Sequence, residues 1–231
     1  MKTIGIIGGM SWESTMTYYR VINETVKNRL GGFHSAKILL NSVDFDQYER
    51  LMRAGDWESI GTELADAAKI LACAGADFFL IATNTMHKVA ETVEAAVNIP
   101  LLHIVDPAAE SVRKQNINKV GLLGTLTTME DNFFCSRLKD KHHLELVVPD
   151  REDRLAMHRI IFDELCLGKL LDQSRERVKA IIQKLANSGT EGVILGCTEI
   201  ALLIGPGDAP VPLFDTTELH ARKAVEWAVL E

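Results

Sequence analysis

The chain has 231 residues, of which 47% are hydrophobic and 25% charged, and a formal net charge of −7 at pH 7. That length holds one large domain or two small ones, and the acidic balance, without a basic run or an interleaved aromatic patch, argues against a general nucleic-acid binder. No apolar run approaches a membrane-spanning length and the stretch Thr3–Ile7 is too short for a secretory leader, so the sequence predicts a soluble, cytoplasmic protein with no nucleic-acid or membrane partner.

Strand and helix signals alternate along the chain, the pattern of a parallel α/β sheet. The first strand, Thr3–Ile7, ends in Gly8-Gly9-Met10-Ser11-Trp12-Glu13-Ser14, where glycines let backbone approach a ligand and Ser11 or Ser14 can cap the next helix, through Tyr18, Ile22 and Val26. Neither the dinucleotide glycine spacing nor the Walker lysine is present, which disfavours a nucleotide loop. Lys37–Phe45 reads as a strand leaving into a polar loop that carries Gln47, Arg50 and Arg53. An amphipathic helix then spans Trp57 to Cys73 and closes at Gly75. The strand Phe78–Ala82 delivers Thr83, Asn84, Thr85 and His87 to a helix start, where hydroxyls and an amide either cap the helix or hold a carboxylate beside free backbone N–H groups. His87, four residues after Thr83, is a candidate to orient or activate that hydroxyl.

Ile99–Val105 is the next strand, followed by a helix over Pro107–Gln115. The second half opens with Val120–Gly124 and the hydroxyl-rich Thr125-Leu126-Thr127-Thr128. A strand at Leu144–Val148, a charged turn at Pro149–Arg154, and helices over Arg154–Leu167 and Gln173–Asn187 lead to the buried strand Thr190–Gly196. That strand ends at Cys197-Thr198-Glu199, and a last helix over Thr217–Leu230 covers the first half. Cys197 stands at a strand's carboxyl end with a helix expected just after, a position whose free N–H groups lower a thiol's pKa and make it a base or nucleophile. A buried structural cysteine is the competing reading. Cys73, Cys135, Cys166 and Cys197 show neither a disulfide framework nor metal-ligand spacing.

The halves repeat one another. Gly75–Thr85 runs in step with Gly189–Glu199, which sets Thr83 opposite Cys197. Upstream, Ile4–Met10 resembles Val120–Thr125, and downstream Ile99–Asp106 resembles Val211–Asp215. A period this long indicates duplicated α/β domains rather than a solenoid. The predicted division is 1–115 plus the helix 216–231 for the half with Thr83, and 116–215 for the half with Cys197.

Ala82-Thr83-Asn84-Thr85-Met86-His87, Gly196-Cys197-Thr198-Glu199, Gly8-Gly9-Met10-Ser11-Trp12 and Gly124-Thr125-x-x-Thr128 together resemble the cofactor-independent aspartate/glutamate racemase family along essentially the whole chain. The resemblance implies two pseudo-symmetric α/β domains with parallel sheets and an active site in the cleft between them. It implies a homodimer that racemises a small acidic amino acid with two cysteines, and with no cofactor or metal. Cys197 matches the second cysteine. Asn84, Thr85, Thr125, Thr128, Thr198 and Glu199 fall on substrate-holding positions, Met10 on one whose backbone borders the pocket, and Gln47 is a further candidate. Arg50, Arg53 and Lys169 compete for the substrate's side-chain carboxylate.

The first cysteine's position is Thr83, whose hydroxyl stays protonated at neutral pH without an adjacent base. An asymmetric racemase follows, with Cys197 as base and Thr83 or a relayed water on the opposite face. A single-cysteine decarboxylase resembling arylmalonate decarboxylase, and a binder of acidic metabolites that has lost turnover, are the alternatives.

Overall fold

The computed structural model describes residues 1–229; the last residue of the expected final helix, Leu230, lies outside them, as does Glu231. The chain forms two compact units, Met1–Ile104 together with the chain from His220 onward, and Val105–Leu219.

In the first unit the strands β1 (Ile4–Gly8), β2 (Ile38–Ser42) and β3 (Phe78–Ile81) run parallel in the order β2-β1-β3. Alternation along the strands divides their side chains between two layers. Ile4, Ile6, Phe78 and Leu80 pack with Tyr18, Ile22 and Val26 of α1 (Trp12–Leu30) and with Ala221, Ala224 and Val225 of α11 (Thr216–Val229). Ile7, Phe79 and Ile81 pack with Leu64, Ala68 and Leu71 of α3 (Trp57–Cys73). Cover on both sides is why β1 and β3 read as continuous apolar runs.

In the second unit β4 (Lys119–Gly124), β5 (Glu145–Val147), β6 (Gly192–Gly196) and β7 (Leu213–Asp215) are parallel in the order β5-β4-β6-β7. The internal repeat is visible in the hydrogen bonds. Val193 N–H donates to Pro212 O at 2.9 Å and Phe79 N–H to Pro100 O at 3.0 Å. Leu213 is registered with Val193, and Leu101 bridges Phe79.

The expected strand at 99–105 contracts to that one bridge at Leu101, and its end, Val105, already opens α5 (Val105–Lys114). The polar loop expected after β2 is a helix, α2 (Phe45–Ala54). Asp44 accepts from Asp46 N–H at its start, Gly55 ends it with φ +71°, and the ion pairs Asp46–Arg50 and Glu49–Arg53 run along its exposed side. The charged turn at 149–154 begins α8 (Arg151–Arg159), capped by Asp150. The helical path then loosens into a π turn over Ile160–Glu164 and a 3-10 turn over Leu165–Leu167. Short helices α4 (Ala90–Ala95), α6 (Leu126–Glu130) and α7 (Asn132–Ser136), the longer α9 (Asp172–Asn187) and the four-residue α10 (Ile200–Leu203) are the remaining α-helices among the described residues. Among the described residues no helix is long and apolar enough to cross a membrane.

Candidate active site

The carboxyl ends of β1 and β3 lie side by side in the first unit, because Ile7 is registered with Ile81. The turn after β1 depends on Gly9, whose φ is +95° and where a Cβ would stand 2.2 Å from Val43 O. Ser11, not Ser14, caps α1, accepting from Ser14 N–H at 3.3 Å; the Ser14 hydroxyl instead donates to Ala82 O at 3.3 Å and ties the two turns together. Met10 is buried in the α3-side core.

After β3, half-buried Thr83 leads through Asn84 into a 3-10 turn over Thr85–Val89. The side chain of Asn84, at the head of that turn, makes no capping bond there. Asn84 and Thr85 are both buried. His87 is placed differently from its expected role toward the Thr83 hydroxyl: its Nδ1 is 2.8 Å from the Thr83 carbonyl oxygen, and its Nε2 accepts from Ile104 N–H at 3.2 Å. The 3-10 geometry turns the imidazole back onto the backbone. Gln47 sits exposed on α2, its amide donating to Glu63 at 3.1 Å.

In the second unit the ends of β4 and β6 are adjacent, with Gly124 registered with Gly196. Thr125 caps α6 by accepting from Thr128 N–H at 3.3 Å, and the two hydroxyls are 3.1 Å apart. Thr128 is fully buried over both glycines; a Cβ on Gly124 would meet its side chain at 3.1 Å and one on Gly196 at 3.3 Å. Leu126 N–H donates to His158 Nδ1 at 3.4 Å, which adds to this turn a histidine that no sequence spacing marks. Burial lowers the pKa of His158 and favours its neutral form.

Cys197 follows β6 and is 7% exposed. Its thiol donates to Glu199 Oε2 at 3.0 Å, and the Thr198 hydroxyl donates to the same oxygen at 2.7 Å; both neighbours are buried. The expected lowering of the thiol's pKa is reversed. Burial pushes it well above its ordinary value, and the charges of Glu199 and Cys166 push the same way. The following helix, α10, has four residues and begins three positions later, so its dipole is small against these effects. Glu199, expected to hold substrate, is in this structure the thiol's own partner.

Arg50 and Arg53 are exposed and paired with Asp46 and Glu49, and Lys169 is exposed beyond the 3-10 turn that ends at Leu167. All four cysteines are free thiols. An open hollow of about 810 Å³ beside β5, lined by residues including Cys135, Lys139, His143 and Glu145, lies toward the amino end of its strand, away from the carboxyl ends where Cys197 stands. Open α/β sheets bind ligands at carboxyl ends, so the chemistry outweighs the size of that hollow.

Hydroxyls, an amide and a thiol at the carboxyl ends of parallel strands stand where α/β proteins bind small polar molecules. The profile of the Asp/Glu/Hydantoin racemase family matches residues 7–224. A structure described as that of a candidate Asp/Glu racemase from Yersinia pestis is 52% identical, covers 99% of this chain and 100% of its own, and superposes with a TM-score of 0.93. An aspartate racemase homologue from Pyrococcus horikoshii OT3 is 40% identical with a TM-score of 0.85 over 99% of both chains. A broad specificity amino-acid racemase from Bacillus subtilis (strain 168) is 21% identical over 228 residues, 96% of each chain. The chain belongs to the Asp/Glu/hydantoin racemase family. It is an isomerase, an amino-acid racemase.

Proposed function

We propose that this racemase acts on aspartate or glutamate, with Cys197 as the base on one face of the α-carbon and Thr83 as the proton donor on the other. The observation that carries the reading is the contact of the buried Cys197 thiol with Glu199, at the strand end that corresponds in the repeat to the one carrying Thr83.

A thiol held well above its ordinary pKa is protonated at rest, yet its thiolate is correspondingly strong as a base. Glu199 supplies the place for the displaced proton: thiol with carboxylate becomes thiolate with carboxylic acid, so the pair holds one proton before abstraction and two after it, and the carboxylic acid releases the second to solvent as the site resets. The thiolate then takes the α-proton and leaves an enediolate. The Thr83 hydroxyl, directly or through a water, delivers a proton to the opposite face, and solvent restores it. The substrate's carboxylate is held by Asn84, Thr85, Thr125, Thr128 and Thr198 with the backbone N–H of Met10, and its side chain is read from among Gln47, Arg50, Arg53 and Lys169. A hydroxyl yields its proton more readily than it takes one, so the enantiomer whose α-hydrogen faces Cys197 turns over faster at saturation, while kcat/KM stays equal for the two enantiomers because their equilibrium constant is one. All of this proceeds on the chain's own groups.

Incubating the protein with each enantiomer of Asp and Glu in deuterium oxide, and following α-exchange together with optical rotation, tests substrate and face at once. Equal turnover from both enantiomers would refute the asymmetry, and near-normal activity in Cys197→Ser would refute the base. The same reading takes the protein as a cytoplasmic homodimer. Four free thiols support a reducing compartment. Sedimentation equilibrium reads the assembly, a monomer mass being the contrary result.

A further inference from the structure

Three histidines far apart in sequence meet in the interior of the first unit: His87 is 2% exposed, His103 6% and His220 0%. The His87 and His103 rings are edge to face with centroids 4.4 Å apart, and His220 lies 6.1 Å from His87. His87 and His220 each have a defined tautomer. A backbone amide only donates, so the bond from Ile104 N–H fixes His87 Nε2 as an acceptor, and the proton stands on Nδ1, where it is donated to Thr83 O at 2.8 Å. The carbonyl of Leu102 only accepts, so His220 Nε2 donates to it at 2.8 Å, and His220 Nδ1 accepts from the Tyr18 hydroxyl at 2.8 Å.

Two rings therefore hold the segment Leu102–Ile104, one from the side of α1 and α11, the other from the end of β3. That segment in turn fixes the ring that grips Thr83. The 3-10 path of Thr85–Val89 brings the imidazole back to the carbonyl four residues earlier, where an ordinary helical hydrogen bond would come from a backbone N–H.

We propose that His87 is a positioning residue for Thr83, a neutral imidazole clamp that spans the Thr83 carbonyl and the Ile104 amide and so fixes the direction in which the Thr83 hydroxyl is presented. The inference rests on the role given above to Thr83. It differs from activation of the hydroxyl, because the ring bonds the backbone and leaves the hydroxyl's proton for the substrate.

The test separates the two reaction faces. With the preferred enantiomer in deuterium oxide, exchange with retention reports Cys197 alone, and inversion reports Thr83 as well, so their ratio isolates what happens at Thr83. In His87→Asn the side-chain N–H stands where Nδ1 does and keeps the bond to Thr83. In His87→Gln the amide reaches the Ile104 side instead. The expected result is a fall of about tenfold or more in the inversion-to-exchange ratio for His87→Gln, with His87→Asn within about threefold of the parent, the range a misplaced reacting group produces. A purely structural histidine would lower inversion and exchange together. A ratio unchanged in both variants, while Thr83→Val abolishes inversion, overturns the clamp and leaves the role of Thr83 standing. Inversion that survives in Thr83→Val overturns the role of Thr83 and the clamp with it.

Discussion

The Cys197 thiol donates to the carboxylate of Glu199 across 3.0 Å in a buried setting, so the group proposed as base and the group that would relieve it of its proton are already joined. The carboxylate does two opposed things: its charge raises the thiol's pKa, and its oxygen receives the thiol's proton.

Glu199→Gln separates them. Loss of the charge moves the pH profile of Cys197 alkylation to lower pH, because the thiolate no longer forms beside a carboxylate. Loss of the proton acceptor lowers turnover by about 10²–10³, in the range for general-base assistance. Alkylation by iodoacetamide followed across pH, beside initial rates, reads both. An alkylation profile that does not move, or moves to higher pH, contradicts the electrostatic account.

Thr83→Cys places a second thiol at the matching strand end. The disfavoured enantiomer then turns over, with its initial rate up about tenfold or more, since a thiol ionises near pH 8.5 and an aliphatic hydroxyl does not. Polarimetry from each pure enantiomer measures it. A variant that keeps the parent's asymmetry removes Thr83 as its cause.

Two carboxylates in the second unit give opposite pH signatures. Burial of Asp106 would raise its pKa, but hydrogen bonds from Arg137, Lys141 and His142 overcome this and hold the carboxyl well below the usual range. A depressed folded-state pKa gives stability that is present above the unfolded value, near pH 4, and is lost as pH falls through the folded one. Asp106→Asn is therefore less stable by about 2 kcal/mol at neutral pH, and the gap narrows as pH falls below about 4. Asp215 is the reverse case: burial raises it, so its ionised form costs stability above the folded pKa and the cost vanishes in acid. Asp215→Asn, which keeps the oxygen that accepts from Thr217 N–H at 2.8 Å, is expected to be more stable than the parent at neutral pH only. Urea titrations at pH 3 to 7 compare the pairs.

Gly9→Ala strains the turn after β1. Its φ is +95° and the added Cβ would meet Val43 O at 2.2 Å, a backbone atom that cannot step aside. A loss of about 2–4 kcal/mol follows from the backbone strain together with the clash. Thermal unfolding measures it, and a change under about 0.5 kcal/mol would contradict the close approach.

The duplicated landmarks made the fold readable: Phe79 and Val193, aligned by the repeat, each donate to the carbonyl of a proline at the next landmark. Strand ends carrying Thr83 and Cys197 were legible because a buried parallel strand announces itself as an apolar run and stops where polar residues begin. Helix α2 was missed although Phe45, Tyr48, Leu51 and Met52 recur at helical spacing and pack on the core; its caps, Asp44 and Gly55, mark its ends.

By itself the sequence determined the α/β class, the repeat and the residues at each strand end, since these are set by local apolar pattern and spacing, and four short motifs carried the family resemblance. Tertiary structure alone decided what those residues touch. It turned Cys197 from an expected low-pKa thiol into a buried one held by Glu199, and gave His87 the carbonyl of Thr83 in place of its hydroxyl. It also gathered His103 and His220 around His87 from far along the chain. Burial and hydrogen-bond geometry are sums over neighbours from many segments, and no local window of sequence contains those neighbours.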